Sequence, residues 1–312
     1  MTPRQLLLAL VLAGIALILV PTEAFAWTPG THVFLGETVL ANLTQLPGEI
    51  AGLLRAFPYD FLYGNIAADT SIAKKYVPVG RHCHSWKVGY EILDRADSDA
   101  LRAFSYGYLS HLAADAVAHN FFVPRQLVVT SRTIALGHSY WESRFETHLG
   151  DQYGRTAMDV IRVGHDNADE LLDRILAPTI FSVRTSRRLF RGMVGVTETQ
   201  SWQRVFRAAA EASRWDLADP DVEGYMALSF QYVMELLGED PVSAQRLDPA
   251  GEGSLHLAKR MRIDVIKRVT SPPVDAVAAL ADEHFQLPAT PVPYWESSDA
   301  QKPWRRRLRA SA

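Results

Sequence analysis

Apolar residues recur three and four positions apart over most of this chain, most clearly in residues 101–122, 157–175 and 225–237. That interval lines one face of an α-helix with hydrophobic side chains, whereas no segment longer than a few residues alternates as a strand does. Proline and glycine breaks, such as those at 47–48 and 272–273, separate the periodic segments. The pattern predicts an all-α fold.

The first 26 residues have a different pattern. Arg4 precedes an apolar run over residues 6–20, and Ala24, Phe25 and Ala26 follow it. The run is shorter than the ~20 residues of an ordinary membrane-spanning helix but suits the core of a signal peptide, and the two alanines suit signal peptidase. We expect cleavage after Ala26 and export to the periplasm or the exterior, with an uncleaved anchor as the alternative.

Composition constrains the rest of the chain. It is 48% hydrophobic, which is typical of a globular protein and excludes a disordered, collagen-like or multi-span membrane protein. With 32 basic and 35 acidic side chains, the charge total does not suggest a protein that coats nucleic acid. We expect residues 27–287 to form one helical domain. Residues 288–312, with four prolines and five basic residues, predict an extended tail, either solvated or in peripheral contact with anionic membranes. Nothing in the sequence indicates an obligate protein partner.

Histidines and carboxylates recur four residues apart in two predicted helices. His111, Asp115 and His119 fall within an arc of about 80° on one helical face, among apolar neighbours that predict burial. Because unsatisfied polar groups are costly to bury, either a metal ion or neighbouring carbonyls must satisfy them. His138 and Glu142 repeat the spacing. Imidazole and carboxylate are ligands that zinc accepts, so the repetition favours a metal.

Glu146 lies one turn beyond Glu142 on the same predicted face. A surface acid paired with Arg144 or Arg162 is an alternative role for it. We therefore leave Glu146 outside the predicted site.

Other candidate ligands precede these helices. Asp69 ends a turn and by itself is an ordinary turn or capping acid. Of His82 and His84 we prefer His84, because it lies at the start of the apolar series of a helix. Cys83 is the only cysteine, which excludes an intramolecular disulfide, and we expect a small buried thiol there.

Cleavage after Ala26 would make Trp27 the N-terminal residue and so a candidate metal ligand. Its free α-amino group and its own carbonyl can chelate a metal in a five-membered ring, and His32 follows at the start of the first predicted helix. Without other ligands, Trp27 would be only an exposed aromatic residue.

The candidate ligands follow one another in the order N-terminal Trp, His, Asp, His, H-x-x-x-D, His and H-x-x-x-E. This order resembles that of the zinc-dependent phospholipase C family, over about residues 27–150. That family shares its all-helical fold with secreted single-strand-specific nucleases that bind three zinc ions. The resemblance implies two to three zinc ions. One would be held by Asp69, His84, His111 and Asp115, a second by His119, His138 and Glu142, and a third by Trp27, His32 and a bridging Asp115. Asp69 would also orient or deprotonate the attacking water.

Departures from the family pattern leave the substrate open. Three residues separate Asp115 from His119, where the characterised phospholipases have five. The four residues between Trp27 and His32 match the nucleases and lack the acid that contacts a choline head group, whereas Glu142 favours the phospholipases. We expect an exported zinc-dependent phosphodiesterase acting on phospholipid. The alternatives are a single-strand nuclease of the same fold and a non-catalytic zinc-binding module at the membrane surface.

Overall fold

The computed structural model describes residues 27–72, 77, 81–131, 133, 137–150, 152–197, 199–238, 243–268 and 273–288. The predicted signal peptide and residues 289–312 of the predicted tail lie outside the described residues, so the division into leader, domain and tail stays a prediction. Within the described ranges the chain forms helices and no strands, which confirms the all-α prediction. None of the described helices has the length and apolar character needed to cross a membrane.

The structure has the following α-helices. In chain order they are α1 (Pro29–Ala41), α2 (Gly48–Ala56), α3 (Pro58–Ala67), α4 (Trp86–Asp94), α5 (Asp99–Val117), α6 (Val123–Val129), α7 (His138–Leu149), α8 (Gln152–Arg162), α9 (Asp166–Ile175), α10 (Val183–Thr197), α11 (Gln200–Glu211), α12 (Asp219–Leu237), α13 (Glu252–Arg268) and α14 (Val274–Phe285).

Helix α5 is at the centre of the bundle. Of its 19 residues, 15 are buried, and a helix that is buried around its circumference must be surrounded by other elements. Helices α3, α4 and α12 pack against it. Its polar residues His111 and Asp115 therefore face protein and not water.

Helices α3 and α5 cross with their backbones in contact. A Cβ atom added to Gly107 of α5 would lie 2.0 Å from the carbonyl oxygen of Phe61, and one added to Gly64 of α3 would lie 2.1 Å from that of Phe104. Both distances are far below van der Waals contact, so the crossing requires glycine at both positions. This glycine pair sets the distance between the two helices that lead into the candidate site.

Two predicted helices are interrupted. Segment 157–175 divides at Gly164, where φ is +87°, so α8 ends and α9 begins there. Segment 101–122 leaves α-helical geometry after Val117, because Ala118–Phe122 forms one π-helical turn before α6. Apolar periodicity cannot reveal interruptions of this size, since the spacing on either side is unchanged. His119 lies in the π turn and not on the regular face that carries His111 and Asp115.

An ion-pair network fastens α9 and α10 to α3. Asp169 of α9 accepts hydrogen bonds from the Tyr63 hydroxyl at 2.5 Å and from Arg191 at 2.9 Å, and it pairs with Arg187 at 3.2 Å. Arg187 also pairs with Asp173 and is only 4% exposed. Burial, reinforced by the Asp169 carboxylate, raises the pKa of Tyr63, which stays a donor. The network joins the later helices to the ligand-bearing half of the chain.

Candidate metal centre

Asp115 is surrounded by three imidazole rings. Its Oδ1 lies 3.1 Å from His32 Nε2, and its Oδ2 lies 2.8 Å from His84 Nε2 and 3.1 Å from His111 Nε2. The Nε2 atoms of His84 and His111 are 2.9 Å apart. All four side chains are buried. Three ring nitrogens and one carboxylate thus converge on a volume a few ångströms across.

Asp69 reaches the same rings from the 3₁₀ turn Ala68–Thr70 at the end of α3. Its Oδ1 lies 3.4 Å from His84 Nε2 and 4.0 Å from His111 Nε2. Two overlapping triads result, Asp69 with His84 and His111, and Asp115 with His32 and His111, each with its ligand atoms within 4.8 Å of one another. The structure therefore brings together five of the side chains that the sequence predicts as ligands.

His119, His138 and Glu142 form a second group, again with ligand atoms within 4.8 Å. His138 Nε2 lies 2.6 Å from Glu142 Oε1, one turn along α7. The ring of His119 lies perpendicular to that of His138 with centroids 5.2 Å apart, and its centroid is 6.2 Å from that of His84. The second group is therefore adjacent to the first.

Backbone carbonyls determine which nitrogen is available on two of these rings. A carbonyl only accepts, so His111 Nδ1 donates to the carbonyl of Asn65 at 2.8 Å and His119 Nδ1 donates to that of Pro249 at 2.6 Å. In a neutral ring held in this way, the lone pair is on Nε2. Metal-binding histidines have this arrangement, with the second nitrogen held by an outer partner.

Burial and charge at the site suit a cation. Both ring nitrogens of His32 and both carboxylate oxygens of Asp115 are buried and lack a hydrogen bond within the described residues, despite their close approach. Burial lowers the pKa of His32, and it lowers the pKa of His119 to about 3, which favours the neutral form of both rings. Burial would raise the pKa of Asp115, but His111 and His32 outweigh it and hold that pKa well below its usual range. Neutral imidazoles beside an ionised carboxylate fit zinc.

Trp27 lies beside the first group and is fully buried, so the alternative of an exposed aromatic residue is wrong. Its ring centroid lies 5.1 Å from that of Phe122 and 4.2 Å from that of Phe145. Its Nε1 donates to the carbonyl of Ala114, the residue before Asp115, at 3.0 Å. These contacts hold the side chain; binding of a metal by the amino group and carbonyl of Trp27 stays a prediction.

His82 and Cys83 are also adjacent to the site and form a third group with His84. His82 Nδ1 accepts the backbone N–H of His84 at 3.1 Å, and Cys83 Sγ lies 3.3 Å from His84 Nδ1. The Nε2 atom of His84 is the one that faces Asp69 and Asp115. Of the two candidate histidines, His84 is thus the one placed among the acids.

Glu146 contacts the beginning of α1. Its carboxylate is hydrogen bonded to the hydroxyl of Thr28, whereas Arg144 and Arg162 pair with Asp216 and Asp159. The suggested arginine partners of Glu146 thus make other ion pairs. Glu146 instead helps to hold the segment that follows Trp27.

For some residues, a supporting role at the site could not be predicted from the sequence. Asn65 and Pro249 act through backbone carbonyls, which every residue possesses. Gly251 acts through the absence of a side chain, since an added Cβ would lie 2.4 Å from His119 Cβ. None of these roles leaves a pattern of residue types.

Comparison with known families identifies a match for the segment that carries the candidate ligands. The model of the zinc dependent phospholipase C family matches residues 31–180 and confirms the resemblance seen in the sequence. The matched segment contains the predicted side-chain ligands from His32 to Glu142 and ends before α10. No curated protein and no solved structure matches the chain.

Proposed function

We propose that the chain is an exported zinc-dependent phosphodiesterase that hydrolyses phospholipid, on the basis of the match between residues 31–180 and the zinc dependent phospholipase C family. One observation carries the proposal. The two buried carboxylates of Asp69 and Asp115 converge with three imidazole rings, beside a second group of three ligands. Such a set is expensive to bury without a cation.

We assign the ligands to three ions as the family resemblance implies. In the proposal, zinc ions are held by Asp69, His84, His111 and Asp115, by His119, His138 and Glu142, and by Trp27, His32 and Asp115. When bound, zinc stabilises negative charge on phosphoryl oxygens and lowers the pKa of a water molecule. Three such ions would outweigh the three carboxylates and leave a cationic site suited to an anionic diester.

Asp69 is the residue that we assign to the attacking water. Both oxygens of Asp115 face imidazole nitrogens at 2.8 to 3.1 Å, so both are already in close contact with these rings. The approach of Asp69 is looser, at 3.4 and 4.0 Å. A carboxylate at the edge of the cluster can orient a water and accept its proton.

The test is a substrate comparison with the mature protein beginning at Trp27. Phosphatidylcholine vesicles and single-stranded DNA are supplied to the zinc-loaded enzyme, with Asp69→Asn and a chelated sample as controls. We expect release of the phosphorylated head group, loss of turnover in both controls, and recovery of the chelated sample on adding zinc. Zinc binding without turnover of any diester would support the non-catalytic module instead.

A nuclease is the second candidate, because the four residues between Trp27 and His32 match the nuclease spacing. Faster cleavage of DNA than of lipid in the same assay would select it. Export is tested separately by expressing the full chain and measuring the mass of the exported product. A product beginning at Trp27 is expected, and an intact leader would contradict it.

A further inference from the structure

His119 receives its outer partner from beyond the matched segment. The Pro249 carbonyl that accepts from His119 Nδ1 lies 130 residues later in the chain, between α12 and α13. We propose that residues 248–251, the clamp loop, are a positioning element for the second metal group. The loop fixes the His119 ring so that Nε2 faces His138 and Glu142. This inference rests on the proposed function, because it requires that the second group bind zinc.

Gly251 brings the clamp loop against His119 for two separate reasons. Its φ is +58°, in the left-handed region that side chains disfavour. A Cβ added there would also lie 2.4 Å from His119 Cβ and 2.6 Å from the His119 carbonyl oxygen. Any other residue would have to displace the backbone or the ring of His119. The close approach is what allows the Pro249 carbonyl to reach Nδ1.

The clamp loop is itself held in place. The carboxylate of Asp248 accepts the backbone N–H groups of Ala250 and Glu252, each at 3.0 Å. The Asp248 carbonyl accepts from Asn120 Nδ2 at 2.8 Å, and Ser254 Oγ donates to Asn120 Oδ1 at 2.9 Å. The residue next to His119 is therefore tied to both sides of the loop.

A need for such support follows from the π turn. His119 lies in Ala118–Phe122, where the backbone departs from α-helical geometry, so its ring direction is not set by a regular helix. His138 and Glu142, by contrast, are positioned by one turn of α7. The clamp loop therefore orients the ring of His119, whereas regular helical geometry orients the side chains of His138 and Glu142.

The experiment compares four single variants and one double variant as purified zinc-loaded proteins. They are Gly251→Ala, Asp248→Ala, His138→Ala, the control Gly253→Ala, and Gly251→Ala combined with His138→Ala. Gly253 is a matched control because an added Cβ there has nothing within 4 Å. Zinc content is measured by elemental analysis and zinc affinity by chelator competition. Circular dichroism checks that each variant is folded.

We expect Gly251→Ala to weaken the same zinc that His138→Ala removes, by about 10- to 100-fold, which is typical for loss of an outer partner. Asp248→Ala should weaken it less, and Gly253→Ala should match the wild type. The double variant should lose no more zinc than His138→Ala alone, because both changes act on one site.

Wild-type zinc affinity in Gly251→Ala and Asp248→Ala would overturn the positioning role. Loss in the double variant beyond that of His138→Ala would also overturn it, since the loop would then support more than one site. If His138→Ala itself keeps the full zinc content, the second group is not a metal site, and the proposed function fails at that point together with this inference.

Discussion

Replacing Gly107 by alanine tests whether the α3–α5 crossing sets the geometry of the metal centre. The added Cβ would lie 2.0 Å from the Phe61 carbonyl oxygen, so the helices would have to separate by about 1.4 Å to reach the 3.4 Å of ordinary contact. Overpacking costs about 1–3 kcal/mol, and the upper end applies because the obstacle is helix backbone. A loss of about 3 kcal/mol lowers Tm by about 6–12 °C in a domain of this size.

The same displacement should disturb metal binding. Asp69 follows directly on α3, whereas His111 and Asp115 lie on α5. Metal–ligand distances hold within about 0.2 Å, so a relative shift of about 1.4 Å exceeds the tolerance several-fold. We therefore expect Gly107→Ala to lose zinc from the first group as well as stability.

The assay is thermal unfolding by circular dichroism, with and without chelator, together with zinc analysis. Gly52→Ala is the matched control, because Gly52 is inside α2 and an added Cβ has nothing within 4 Å. It should gain about 0.5–1 kcal/mol, as alanine is the better helix former. Wild-type Tm and full zinc content in Gly107→Ala would refute direct backbone contact between the helices.

Three further predictions concern other parts of the molecule. A retained Met before Trp27 should abolish the third zinc and most activity while the fold persists, since an amide nitrogen cannot replace a neutral amine; full occupancy in a protein shown by mass spectrometry to be extended would exclude Trp27 as a ligand. His138→Ala should remove the second zinc while Glu146→Ala leaves zinc content unchanged, and equal losses by elemental analysis would place Glu146 inside the site. Asp169→Ala should lower the free energy of unfolding in urea by about 2–3 kcal/mol, because it removes an acidic partner of the buried Arg187, and a simultaneous loss of zinc would show that this network is part of the metal site.

Local geometry explains which parts of the site were predictable. His111 with Asp115, and His138 with Glu142, lie one helical turn apart, so the sequence alone places each pair on one face. Asp69 lies in a turn, where an acid is common, and only the family resemblance indicated its role. Periodicity also predicted most helices, because apolar residues recur at helical spacing along them.

The parts that could not be predicted depend on backbone atoms or on single residues. The π turn around His119 changes the helix over five residues without altering the apolar pattern. The contact between Pro249 and His119 uses a carbonyl, and the α3–α5 crossing uses two glycines among the 19 in the chain. Such contacts are set by tertiary packing, and a single sequence does not distinguish these residues from others of their type.

The two carbonyls that hold His111 and His119 come from very different points in the order of synthesis. Asn65 is separated from His111 by 46 residues, and Pro249 is separated from His119 by 130. A chain that emerges from its N-terminus presents Asp69, His84 and His111 together long before residue 249 has appeared. In a chain synthesised from its N-terminus, the carbonyl that holds His111 is thus already present when His111 appears, whereas the carbonyl that holds His119 arrives only with the last quarter of the protein.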